Sequence, residues 1–353
     1  MDRNGWSGTR LAREMGTSQP WVSMVLSGKR DPGIRRSADL LARAGWKLRL
    51  VPTEGESVDR RLFLAAAASA ALVPAAAASP YSSPDYLDGI AGRLACNEAQ
   101  LGGAPLAREA ARHAARAVGA AEAAGQSGQA AASRLLRQCA LVLHDVRQLG
   151  RAEQAAGAAL RLARAADDIA GQVQALDTLS LITAHQRDGR GAEYARRGLA
   201  LPGTDHGRAI LAARLGRALA LRPGSAREAH RWLDHALALQ GGEDAEVCGN
   251  CGIGFTDAGM PGRGEPYLAA AVARTAPSPF THSLYVARQA KTAMRARQPE
   301  RAAQAMTALA ALAPLVESPR LAIHLRHVYD GTRQWDGIWD VRHAREALRE
   351  AMT

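Results

Sequence analysis

Between about residue 100 and residue 300 the chain is interrupted at near-regular intervals by glycine and proline. The breaks fall at Gly102-Gly103, Gly150, Gly189, Pro223-Gly224, Pro261-Gly262 and Pro299, and after Gly150 they are about 39, 35, 38 and 37 residues apart. Each break lies between two stretches of about twelve to eighteen residues whose apolar positions recur at helical spacing. A period of this length marks a helical repeat array, in which each hairpin buries its apolar face only against its neighbours. The available core material agrees. Aromatic residues are 4% of the chain against 47% hydrophobic residues in all, so Ala, Leu and Val must fill the interior. Ala and Leu are strong helix formers, and no run of alternating β-branched residues speaks for a sheet. The expected fold class is all-α.

Small residues follow several breaks at a fixed offset: Ala155 after Gly150, Ala229 and Ala236 after Gly224, Ala303 and Ala310 after Pro299. They let paired helices approach closely. In these offsets residues 85–350 resemble the tetratricopeptide repeat, as six degenerate pairs without most of the consensus aromatics; a plain all-α bundle is the competing architecture. The last pair, from about Leu321 to Met352, carries Tyr329, Trp335 and Trp339. Its final helix is expected to turn Arg342, Arg345, Glu346, Arg349 and Glu350 outward as a capping repeat does.

A second pattern occupies Ser7–Gly28. Ser7 caps a short helix carrying Leu11, Ala12 and Met15; Gly16 ends it; Ser18 caps a second helix with Pro20 near its start and Val22, Val25 and Leu26 on one face; Gly28 closes it. Cap, helix, glycine turn, cap, helix is the helix-turn-helix order. Residues 6–46 resemble the repressor-like (XRE-type) helix-turn-helix family, through Leu11-Ala12, Met15-Gly16, Ser18-Gln19, Val22-Ser23, Leu26 and Ser27-Gly28. The resemblance implies a DNA-binding domain over residues 1–50, a fourth helix after Asp31-Pro32-Gly33, and a first helix that is missing ahead of Ser7, so that the true start is expected upstream. Where the family often has Gln after the first cap, this chain has Gly8.

Charge supports that reading. The net charge is +11, and residues 1–50 hold ten Lys/Arg against four acids, a local balance of +6. Basic charge beside a helix-turn-helix is what phosphate attraction requires. The second helix enters the major groove with its N-terminal residues at base edges. By resemblance, Gln19 is the first candidate for a base contact and Ser23 the second, with Ser18 at the same helix end. Trp21 either touches a thymine methyl or sugar-phosphate or is a structural residue. Lys29 and Arg30 suit phosphates, as do Ser7 and Thr9 at the first helix.

Residues 51–83 read as a linker with an Ala-rich helix. Arg60-Arg61 followed by Phe63-Leu64 looks like a twin-arginine export signal, but it lies sixty residues into the chain, and working signals are N-terminal. Actinobacterial regulators of this build often carry a similar segment between their two parts. A connecting helix and a cytoplasmic protein are therefore expected, and the apolar run is too weak for a membrane span.

Residues 84–353 form the repeat domain. In register with Gly150, its ligand-facing side should show Arg137, His144 and Arg147, with Arg288 and Arg295 further along; such a groove suits an acidic peptide or a C-terminal carboxylate, unless these are only solvated positions. Four scattered cysteines exclude a disulfide framework, and Cys248-Gly-Asn-Cys251 lacks the second ligand pair that structural zinc needs. No nucleophile, metalloprotease or phosphate-loop motif is present, so neither enzyme activity nor a cofactor is expected. The sequence thus describes an all-α, N-terminal helix-turn-helix domain followed by a tetratricopeptide-like α-solenoid. The expected function is a homodimeric transcriptional regulator that binds double-stranded DNA and senses a peptide, small ligand or protein partner. The alternative is a tetratricopeptide-like scaffold or adaptor without effective DNA binding.

Overall fold

The computed structural model describes residues 12–13, 15–26, 79–121, 125–186, 188–240 and 243–352. The chain divides into two compact units, Met1–Ala78 and Ser79–Thr353. Of the first, the described part is two helical residues, Ala12 and Arg13, a tight turn, and helix α1 (Gln19–Leu26). The proposed fourth helix, the Arg60-Arg61 segment, Ser7, Thr9, Lys29 and Arg30 lie outside the described residues.

The turn is built as the local sequence dictates. Gly16 takes a left-handed φ of 65°. Its N–H bonds to Arg13 O at 3.1 Å and that of Thr17 to Ala12 O at 2.9 Å, the paired bonds of a Schellman motif. Ser18 then accepts the Trp21 N–H on its hydroxyl at 3.4 Å. Ala12, Met15, Trp21, Val22 and Val25 form one buried cluster.

The second unit is all-helical among its described residues. Its helices come in seven consecutive pairs: α2 (Pro84–Leu101) with α3 (Ala107–Ala121), α4 (Gly125–Asp145) with α5 (Leu149–Ala165), and α6 (Ile169–Thr183) with α7 (Arg190–Leu199). Then come α8 (Asp205–Ala220) with α9 (Ala226–Gln240), α10 (Ala245–Asp257) with α11 (Pro261–Thr275), α12 (Pro279–Arg295) with α13 (Pro299–Leu312), and α14 (Pro319–Gly331) with α15 (Trp339–Ala351). The count is seven among the described residues where the breaks suggest six, because the hinge of the last pair lies beyond the final break at Pro299. The unit begins at Ser79 rather than residue 84, since Tyr81 is buried in the first core cluster and its hydroxyl bonds His113 Nδ1 at 2.6 Å.

The helices start and stop on predictable chemistry. Ser83, Asp168, Thr204, Asp244 and Ser318 each accept a backbone N–H on their side chains at the first turn of α2, α6, α8, α10 and α14. Five helices place proline in their first turn, where no N–H is needed. The hinges inside six of the pairs contain a left-handed residue: Gly102, Arg147, Gly189, Gly224, Gly259 and Arg297. Arg147 and Arg297 are the exceptions to glycine, so two breaks read from Gly150 and Pro299 sit two or three residues beyond the real hinge.

Packing uses the small-residue offsets. Ala155, Ala229, Ala236 and Ala303 are buried. Leu233 of α9 lies against both Gly216 of α8 and Gly254 of α10, where a Cβ would come within 2.7 Å of Leu233 in either case. The last pair differs from expectation at one residue. Arg345 is buried, donating to Tyr329 O at 2.8 Å and pairing with Asp336, while Trp339 stays 64% exposed.

The first and last pairs meet. The end of α2 receives the Glu317 N–H on Leu101 O at 2.7 Å, and Glu317 O accepts from Ala104 N at 3.0 Å. Ser278 Oγ donates to Ala99 O at 3.1 Å and Gln100 Nε2 to Pro277 O at 3.2 Å. Because these residues are 177 and 179 apart, the row of hairpins closes on itself and its first helices surround a common interior.

Candidate functional site

That interior is a cavity of about 700 Å³, lined by all seven first helices, α2, α4, α6, α8, α10, α12 and α14. The size is that of a small-molecule site. Its walls mix apolar side chains (Leu141, Leu181, Ile253, Phe280, Leu284, Ile323) with Glu98, Gln138, His144, Arg147, Arg214, Arg217, Glu246, Asn250, Tyr285, Arg288, Lys291, Arg320, His324 and His327.

Of the five groove residues expected from register, His144, Arg147 and Arg288 line this cavity together. Arg137 does not: it is half-buried on α4, outside the lining. Arg295 is also outside, exposed at the end of α12, where it pairs with Asp257 at 2.9 Å and donates to Thr256 O. The register error has a plain cause. Arg137 precedes the lining residue Gln138 by one position, about 100° around the helix, and Arg295 lies one turn past Lys291.

Two polar clusters organise the walls. Near the closure, Asp145 is fully buried and accepts from Gly103 N at 2.9 Å and Ser318 Oγ at 2.6 Å. Arg320 pairs with the same carboxylate at 3.3 Å and donates to His144 Nδ1 at 3.2 Å, the acceptor nitrogen of a neutral imidazole. Beside them Glu98 accepts from Gln138 Nε2 at 2.6 Å. Burial pushes the Glu98 carboxyl up to about 7, with nearby Asp145 adding to the rise and Arg320 opposing it.

The second cluster centres on α8. Arg214 reaches Asp177 at 2.7 Å, Glu246 at 2.6 Å and Asn250 Oδ1 at 2.8 Å. Burial works against its charge, yet the two carboxylates outweigh burial and hold its pKa above the ordinary value. Arg217, one turn on, donates to Asn250 Oδ1 at 3.1 Å, and among the described residues its Nε has no partner. Burial, helped by Arg288 and Arg214, pulls Arg217 down to about 9. Burial likewise lowers Arg288 to about 10, against the pull of Asp257. Lys291 falls through burial and the charge of Arg288. His324 is held far below the ordinary histidine range by burial and then by Arg288, Arg320, Lys291 and Arg217.

Arg217, Lys291, Arg320 and His324 escape the sequence reading, although a signal exists. Arg214/Arg217 and Arg288/Lys291 are three apart, and Arg320/His324/His327 are four and three apart, so each set shares one helix face. Cys248 and Cys251 are buried within α10, with Cys251 Sγ 3.6 Å from Leu233 O; burial raises both thiols, which makes them poor nucleophiles. Among the described residues no helix is long and apolar enough to cross a membrane.

On the first unit, Ser18, just before α1, is exposed, as are Gln19 and Ser23 on the side of α1 away from its buried cluster. Trp21 is 8% exposed and belongs to that cluster. No family model matches the chain, and no curated protein matches it.

Proposed function

We propose that this protein is a sequence-specific DNA-binding transcriptional regulator. Residues 12–26 belong to a repressor-like helix-turn-helix, and the seven hairpins are a tetratricopeptide-like array that receives a ligand in its central cavity. The observation that carries the reading is the two-sidedness of α1. Trp21, Val22 and Val25 are buried behind the Gly16 turn, leaving Gln19 and Ser23 exposed one turn apart at the N-terminal end. A Gln in that position can bond adenine N6 and N7 together, and Ser accepts or donates to several bases. Excess positive charge over residues 1–50 supplies the phosphate attraction. A homodimer in the cytoplasm fits the role, because one such helix reads a short half-site and two double it.

A gel-shift titration over salt tests the proposal. The full chain should retain a complex with its own operator as salt rises from about 50 to 200 mM, while complexes with unrelated duplexes weaken by about 10³-fold or more. The Gln19→Ala/Ser23→Ala double variant should lose the specific complex and keep the salt-sensitive one. Unchanged specificity in that variant would remove α1 from the role of recognition helix, and a complex equally salt-sensitive on every duplex would leave only a scaffold.

A further inference from the structure

Where α8, α12 and α14 line it, the cavity holds more positive charge than the protein balances. Three of the surrounding arginines are matched: Arg214 by Asp177 and Glu246, Arg320 by Asp145, and Arg295 by Asp257. Besides Arg147, exposed at its hinge, three lining cations set deeper in the cavity are not. Arg217 is more than nine-tenths buried and, among the described residues, has a neutral amide as its hydrogen-bond partner and leaves Nε unpartnered. Arg288 and Lys291, one turn apart on α12, face the cavity with no side-chain hydrogen bond or ion pair among the described residues. Asp257 acts on all three, but its side chain is buried and bonded to Arg295. His324 also lines the cavity and adds no negative charge.

Burying cations without counterions is costly, and strongly perturbed charges gathered in a cleft mark functional sites. The missing counter-charge has a definable chemistry. Three cations lining one cavity call for a group bearing about two negative charges and several acceptor oxygens. A phosphate monoester carries about −1.5 to −2 and three oxygens, whereas a carboxylate carries one charge. The adjoining walls, Ile253, Leu284 and Tyr285, offer an apolar and aromatic surface for the rest of a ligand. A cavity of about 700 Å³ exceeds the needs of inorganic phosphate and is too small for a folded partner.

We infer that the cavity binds a small organic phosphate, whose phosphoryl group is held by Arg217, Arg288 and Lys291 and whose apolar or ring-bearing body lies against Ile253, Leu284 and Tyr285. The inference rests on reading the cavity as the ligand-receiving side of the regulator, and it names that ligand's class.

Calorimetric titration of the full chain with phenyl phosphate, inorganic phosphate, benzoate and an acidic tripeptide, at fixed ionic strength and without DNA, tests it. Phenyl phosphate should bind with one-to-one stoichiometry, at least about tenfold more tightly than either inorganic phosphate or benzoate. Arg217→Met and Arg288→Met should each weaken it about tenfold or more, as loss of a charge-assisted hydrogen bond does. Arg196→Gln, which breaks an outer-surface pair with Glu228, should leave it unchanged. Without ligand, Arg288→Met and Lys291→Met should melt no lower than the wild type, because each removes an unbalanced charge. Absent or unsaturable binding, equal affinity for benzoate or the tripeptide, unchanged affinity in the two arginine variants, or melting below wild type in both Arg288→Met and Lys291→Met would each overturn the inference. None of these measurements involves DNA, so their failure is distinct from failure of the gel shift.

Discussion

Glu98 shows how a single buried side chain sets conditions on the fold. Its carboxyl sits on α2 at the cavity wall, bonded to Gln138, with burial and Asp145 favouring the protonated form. The folded pKa, about 7, lies above the ordinary 4.5. A group raised in this way gives stability that is fully present below pH 4.5 and is lost as pH rises through 7. The 2.5-unit difference corresponds to about 3 kcal/mol. Glu98→Gln removes that dependence. Urea unfolding at pH 5 and pH 8 should therefore show the variant gaining up to about 3 kcal/mol on the wild type at the higher pH. Parallel wild-type and variant profiles would contradict the assignment. Glu98 itself was not foreseeable as special, since its burial arises only where the first and last hairpins meet.

At the scale of elements, small residues decide how closely helices pack. Gly264 of α11 and Gly252 of α10 touch backbone to backbone: a Cβ on Gly264 would lie 2.5 Å from Gly252 O and 2.6 Å from Thr256 Oγ1. Gly92, exposed in the middle of α2, would carry a Cβ into open space. Gly264→Ala is expected to destabilise by about 1–3 kcal/mol through overpacking. Gly92→Ala should stabilise by about 0.5–1 kcal/mol by its better helix propensity. Thermal melts of the two variants should move in opposite directions; a shared direction would mean propensity, not inter-helix spacing, governs both. The hairpins themselves were legible because glycine and proline punctuate them. The hinges at Arg147 and Arg297 were not, since non-glycine residues there adopt a left-handed φ that no residue type announces. The cavity was half legible. His144, Arg147 and Arg288 follow from register, but with few consensus aromatics to fix that register, Arg137 and Arg295 fall one position and one turn from the lining, and Arg217, Lys291 and His324 stand out only once the cavity is seen.

In the whole molecule, two different designs share one chain. The hairpin row closes through hydrogen bonds between residues 177 and 179 apart in sequence, and through backbone bonds of Glu317 to Leu101 and Ala104, which no local pattern encodes. That closure brings the first helices of all seven hairpins around one cavity, open to solvent on one side, where exposed Ile323 belongs to its wall. The N-terminal unit carries the opposite kind of surface, an exposed polar helix end on a small buried cluster. The central claim is that this surface reads DNA sequence, and selection from randomised duplexes tests it most directly. The full chain is predicted to enrich a defined motif and to bind it about 10³-fold or more tightly than a scrambled duplex at about 150 mM salt. Failure to enrich any motif, with equal affinity for both duplexes, would contradict the account.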